Sequence, residues 1–97
     1  MPRLLVEPAA ARGLDEAFAW YEARARGLGS EYLRAVRVLL AALERNPTQH
    51  PIVRGDIRRA HVRRFPYAVY YVADGDLLRV IACIHSRRHP RRWQSRR

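Results

Sequence analysis

Phe65 to His85 reads FPYAVYYVADGDLLRVIACIH, and the reading of this stretch decides the fold. Two runs rich in Val, Ile, Leu and Tyr, Tyr67 to Ala73 and Leu77 to His85, flank Asp74-Gly75-Asp76. A glycine at the second central position supplies the positive φ that a tight two-residue hairpin turn requires. The run before it, Ile57 to Arg64, also has strand character, and Pro66 marks the corner between the two. The C-terminal half is therefore expected to be an antiparallel meander. Alternation divides its residues by face. Arg58, Ala60, Val62 and Arg64 share one side of the first strand, and Arg59, His61 and Arg63 the other. In the last strand Leu78, Val80, Ala82 and Ile84 are uniformly apolar and should pack inward. That leaves Arg79 and His85 on the opposite face with Ile81 and Cys83.

Upstream of the meander the periodicity changes. Arg3 to Val6 is a short strand stopped by Pro8. From Ala9 to Arg26, Leu14, Ala17, Phe18, Tyr21 and Ala25 recur at steps of three and four, the spacing of one helix face. Gly27 suits a C-terminal cap and Ser30 an N-cap for a second helix, Glu31 to about Arg45, with Leu33, Val36, Leu40 and Leu43 as its stripe. Asn46-Pro47 ends it, and Thr48 to Asp56 is a loop with an extended piece at Ile52-Val53. The expectation is an α+β fold of two layers: an N-terminal strand and an α-helical hairpin packed on an antiparallel sheet, in the order β-α-α-β-β-β, with the second sheet face partly open and basic. At 97 residues this is a single domain, 1–97, with a basic tail from Ser86 to Arg97.

Composition narrows the function classes. All 19 basic residues are Arg, and the net charge is +10. Residues 1–50 hold 7 Arg against 6 acids, whereas residues 51–97 hold 12 Arg against 3 acids. An arginine-biased composition explains the absence of Lys but not this asymmetry, which points to an acidic partner. MPRLLVEP contains no apolar run of secretory or membrane-spanning length, so a cytoplasmic protein with no membrane partner is expected. Cys83, the single cysteine, excludes an internal disulfide and reads as a small buried side chain.

Three features could carry chemistry. The first is Arg59, His61, Arg63, Arg79 and His85, expected to converge on the open sheet face, with Arg87 and Arg88 beyond its edge. Arginine binds phosphate and stabilises a charged transition state, and histidine exchanges protons near neutral pH. The competing reading is a solvated sheet face. The second is the tail, where Arg87, Arg88, Arg91 and Arg92 accompany Trp93, a combination suited to backbone contacts and base stacking, or with Trp93 folded back as a packing anchor. The third is Trp20, off the stripe of the first helix, which suits either a partner groove or packing on a neighbouring loop or strand. The four His show no metal-ligand spacing apart from His85 to His89, which requires a helix that Pro90 disfavours; no metal and no cofactor are expected. No paired carboxylates, serine-nucleophile motif or glycine-rich phosphate loop is present.

Taken in order, several short motifs resemble the RelE/ParE superfamily of bacterial toxins from type II toxin–antitoxin modules. They are Ala17-x-x-Trp20-Tyr21-Glu22, Gly27-Leu28-Gly29-Ser30-Glu31-Tyr32-Leu33, Asn46-Pro47, Arg63-Arg64-Phe65-Pro66-Tyr67-x-Val69-Tyr70-Tyr71 and Ile84-His85-x-Arg87-Arg88-x-Pro90-x-x-Trp93. The resemblance implies a growth inhibitor neutralised by a cognate antitoxin, whose acidic C-terminal segment wraps the helices and sheet in a hetero-oligomer. RelE-like members cut mRNA on the ribosome. They usually carry an Arg directly after the aromatic that opens the third strand, and often a Tyr near the C-terminus. Here Ala68 stands at the first position and no Tyr follows Tyr71. Under that alternative the cleavage candidates are Arg59, His61, Arg63, His85 and Arg87. ParE-like members poison DNA gyrase and have no established hydrolytic site, and the Phe-Pro-Tyr corner and His-x-Arg-Arg-x-Pro-x-x-Trp tail resemble that branch. In this reading Arg58, Arg59, Arg63, Arg64, Arg79, His85, Arg87, Arg88, Arg91, Arg92, Trp93 and Trp20 are the candidate contacts to target or antitoxin. A degenerate toxin that retains only antitoxin binding is the third alternative.

Overall fold

The computed structural model describes residues 3–86. Strand β1 (Arg3–Val6) leads into helices α1 (Pro8–Arg24) and α2 (Leu28–Arg45), followed by strands β2 (Ile52–Arg54), β3 (Ile57–His61), β4 (Tyr67–Asp74) and β5 (Leu77–His85). Pro8 opens α1, where its missing N–H has no helical partner to lose. The helix hairpin is closed by a side chain rather than by Ser30. Both oxygens of the Glu22 carboxylate, still in α1, accept hydrogen bonds from the first turn of α2, from Gly27 N at 2.9 Å and Gly29 N at 3.0 Å. Gly27, at φ 87°, is the residue before α2, which therefore starts at Leu28 and not at Glu31. The acid that satisfies those orphan amides lies on the preceding helix, so a search for a local cap does not find it.

The strands form one mixed sheet in the order β1-β5-β4-β3-β2. β1 is parallel to β5, pairing Arg3 with Leu77 and Val6 with Val80, and the other neighbours are antiparallel. The α+β architecture is the expected one, with β2 as a short added edge strand and β1 running parallel where an antiparallel sheet was expected. The β4–β5 turn also differs in register. Asp74 pairs with Leu77, so Gly75 and Asp76 form the loop, and Gly75 takes its positive φ, 58°, at the first central position. β3 ends at His61, shorter than the expected strand to Arg64.

A bulge in β5 changes which residues face the helices. Tyr70 pairs with Ala82 but Tyr71 pairs with Val80, leaving Ile81 as an extra residue. One extra residue inverts the alternation beyond it. Leu78, Val80 and Cys83 join the core under the helices. Ile81, Ala82 and Ile84 fall on the other face with Ile57, Ala68, Tyr70 and Val72. Ala82 and Ile84 are thus on the side opposite to that expected, as are Cys83 and His85. The second face is also not open and basic: its seven apolar side chains are buried.

The helix-side core is built around aromatic rings. Tyr21 of α1, Tyr32 of α2, Phe65 of the corner and Tyr67 of β4 have ring centroids between 4.9 and 5.9 Å apart, mostly edge to face. Tyr32 places its hydroxyl 3.2 Å from Cys83 Sγ. Burial pushes the Cys83 thiol up to about 11, with the Tyr32 hydrogen bond pulling weakly the other way, and burial raises the Tyr32 phenol as well. α1 lies so close to β5 that a Cβ on Gly13 would collide with the Cys83 carbonyl oxygen.

Two outcomes follow. Gly13→Ala should destabilise the fold by about 1–3 kcal/mol, because the obstacle is backbone and cannot rotate away; urea denaturation measures it. Both Cys83 and Tyr32 stay neutral longer when folded than when unfolded. Their contribution is present below the ordinary thiol value of 9 and is lost as pH rises toward 11. Stability should therefore fall between those values, and the fall should be shallower in Cys83→Ala, measured by denaturation at stepped pH.

Candidate functional site

The expected cluster of cations on one sheet face disperses, because Arg79 is taken up by Glu7 and the β5 bulge carries His85 to the helix side. Arg58 lies on the helix side of β3, where its Nη1 donates to the carbonyls of Thr48 at 3.1 Å and His50 at 2.7 Å. Tyr71 donates its hydroxyl to the carbonyl of Pro47 at 2.9 Å. Together they pin the loop between α2 and β2. Burial raises the Tyr71 phenol, and the positive charge of Arg58 partly offsets this. Arg79, in β5 beside the opposite edge strand β1, donates to Glu7 Oε2 at 2.7 Å. That carboxylate sits at the β1–α1 junction, so the pair ties β5 to the start of α1.

Arg59 and His61 fall on the second face, opposite Tyr70 and Ala68 of β4. His85 is paired with Tyr67 on the helix side, its ring 5.3 Å from the Tyr67 ring. The bulge therefore puts His85 and Arg59 on opposite sides of the sheet. Two of the five side chains expected to converge, His61 and Arg63, share a depression. It is a cleft of about 260 Å³ with Ala35, Val38, Leu39 and Ala42 of α2 on one side and Gln49, His50, His61 and Arg63 on the other.

Arg64 has a conformation that sequence reasoning missed. Its φ is 74°, the sole positive value among described residues other than glycine. A side chain there costs about 1–2 kcal/mol. Its guanidinium reaches Glu31 of α2 at 3.2 Å and lies 5.5 Å over the Phe65 ring. Trp20 is 40% exposed, edge-on to Tyr21 at 5.1 Å and covered on one side by the Arg24 guanidinium at 4.1 Å. It is therefore a surface aromatic next to the core rings. Arg87, Arg88, Arg91, Arg92 and Trp93 lie outside the described residues.

Three further features were not singled out from the sequence: His50 in the cleft, Glu22 as a cap, and the second apolar stripe of α2. The last had a signal, since Ala35, Val38, Leu39 and Ala42 follow helical spacing beside the buried stripe of Tyr32, Val36 and Leu43. Among the described residues no group of three His, Cys, Asp or Glu is arranged to hold a metal, and no helix is long and apolar enough to cross a membrane.

Comparison with known proteins adds to this geometry. Residues 4–90 match the family model described as the ParE toxin of the type II toxin–antitoxin system parDE. Among solved structures, a chain of the chromosomal ParDE toxin–antitoxin system from P. aeruginosa superposes with a TM-score of 0.64 at 16% identity, covering 88% of this chain and 96% of that one. At that identity the likeness speaks to the fold. No curated protein sequence matches.

The contrast between the two tethered arginines is testable. Arg58→Ala should cost about 2 kcal/mol, since it removes charge-assisted hydrogen bonds to two loop carbonyls. Arg64→Gly relieves the left-handed backbone while losing an exposed ion pair worth up to about 1 kcal/mol, so stability should change by less than about 1 kcal/mol. Urea denaturation of both variants gives the comparison; equal losses would contradict these roles.

Proposed function

The chain belongs to the ParE toxin family of type II toxin–antitoxin systems, and from that premise we propose that it arrests growth by engaging DNA gyrase without hydrolysing a substrate, and that a cognate antitoxin neutralises it. The family match over residues 4–90 is the observation that carries this reading. The placement of the cations adds support. Phosphodiester cleavage needs a proton-transfer group and a charge-stabilising group within reach of one phosphate, yet His85 and Arg59 occupy opposite faces. Arg58 and Arg79 are engaged in holding the fold. Target contact then falls to arginines without such duties, Arg59 and Arg63 on the body and Arg87, Arg88, Arg91 and Arg92 of the tail, with Trp93 among them. The positive surplus of +10 suits an antitoxin whose binding segment is acidic.

The second reading, ribosome-dependent cleavage of mRNA, is favoured by one observation: His61 and Arg63 share a cleft with His50. In that case catalysis would draw on those side chains, and His61→Ala would remove it.

Expression in the absence of the antitoxin should stop growth, with DNA breaks and filamentation while bulk mRNA stays intact. Rapid mRNA cleavage on ribosomes would overturn the gyrase reading in favour of the second. Replacing Arg87, Arg88, Arg91 and Arg92 by Gln should abolish toxicity, whereas His85→Ala should leave it. Co-purification of each variant with the antitoxin serves as the control for folding.

A further inference from the structure

We infer that the tail after Ser86 folds back over the second face of the sheet as a strap, with Trp93 as its anchor on the apolar side chains there. The starting observation is a buried face whose cover is not among residues 3–86. Tyr70, Val72, Ile81 and Ile84 are between 1% and 3% exposed, and Ile57, Ala68 and Ala82 beside them are fully buried. Both helices pack on the opposite face, with Leu78, Val80 and Cys83. Among the described residues, the one further apolar side chain packed against the patch is Val53, which belongs to β2 of the same sheet. Arg59, His61 and Arg79 flank the patch, but they are themselves half-buried or exposed and do not close it over. A bare face of such a sheet is wet, and this one is dry.

The burial is that of a single chain, so the cover comes from the chain itself. Met1 and Pro2 are excluded by reach. They precede Arg3, whose N–H donates to the Asp76 carbonyl at the far end of β5, and two residues extend about 7 Å at most. Residues 87–97 start at the near end. Ser86 donates its N–H to the Pro66 carbonyl at 2.8 Å, beside the paired Ala68 and Ile84 of the patch. From Ala68 to Val72, the length of the patch along β4, is about 13 Å. The seven residues from Ser86 to Trp93 span up to about 23 Å, enough to run that length and cross neighbouring strands. In RRHPRRWQSRR, Trp93 is the one large apolar side chain, and an indole removes about 150–250 Å² from water. Pro90 lies three residues before it and suits the turn that brings the tail back. Arginine stems extend the cover while their charged ends stay in water. Anchored in this way, the six arginines of the tail form a fixed cationic surface instead of a loose arm.

The test uses the full chain with Trp20→Phe, which leaves Trp93 as the single indole. Acrylamide should quench its fluorescence at least threefold less in the folded chain than in urea. With methyl groups labelled, nuclear Overhauser contacts should join the indole to Ile81 and Ile84. Equal quenching in the two states would overturn the inference, as would indole contacts to methyls of α1 or α2. Contacts that appear only between differently labelled copies would assign the cover to a second molecule and overturn it too. Trp93→Ser should raise binding of the dye anilinonaphthalene sulfonate at least threefold by uncovering the face, and Trp93→Phe should restore the lower value; a dye response unchanged in both variants would count against Trp93 as the anchor. The quenching and Overhauser measurements need no variant of the tail, so they decide the matter even where Trp93→Ser fails to fold. None of them reads growth or target, so failure here is distinct from failure of the gyrase reading.

Discussion

The packing of four rings, Tyr21, Tyr32, Phe65 and Tyr67, is the interaction on which the rest of the structure depends. Each comes from a different element: one per helix, one from the β3–β4 corner and one from the first residue of β4. Edge-to-face pairs contribute about 0.5–1.5 kcal/mol each beyond the area they bury. More important is where they act. They fix the loop end of the helix hairpin against the corner of the meander, and the surface features gather around them: Trp20 and Arg24 outside Tyr21, Arg64 over Phe65, His85 against Tyr67. The left-handed backbone at Arg64 is tolerated because Phe65, the next residue, is locked between the two helices.

The charge distribution follows from the same packing. A chain with a net charge of +10 repels itself, and arginines brought together on one face would add to that cost. The fold spreads them instead. Arg58 is hydrogen-bonded by loop carbonyls, Arg79 is paired with the Glu7 carboxylate on the other side of the sheet, and Arg64 reaches Glu31 on the helix layer. The bulge at Ile81 helps, because it moves His85 away from Arg59 and fills the second face with apolar side chains.

Much of the fold was legible in the sequence because it depends on short-range patterns. Helical spacing exposed both helices, and the Tyr67–Ala73 and Leu77–His85 runs with a glycine between them exposed the hairpin. The faces of β5 were legible only as far as Val80. Past that residue, apolar positions occur consecutively from Ile81 to Ile84, so composition does not reveal which one is extra; the close approach of Gly13 to Cys83 belongs to the geometry that decides it. The parallel β1–β5 pairing was hidden for a related reason, since a four-residue strand, RLLV, carries no mark of its partner or direction. For the site, residue types were legible and their grouping was not. Arg58 and Arg79 look like available cations until Thr48, His50 and Glu7, distant in sequence, take them up.

The pairing of Arg3–Val6 with Leu77–Val80 also governs how the molecule comes into being. β5 lies between β1 and β4, yet in the chain it follows every element it joins. The helix hairpin is stitched by Glu22 to its own loop through contacts close in sequence. The sheet cannot close until β5 is available to join β1 and β4. Non-local pairing of this kind slows folding relative to helix formation. During synthesis, then, the helices and the stripe of α2 exist before the surface that β3, β4 and β5 complete. The helix layer is therefore synthesised before the sheet that must cover its apolar side.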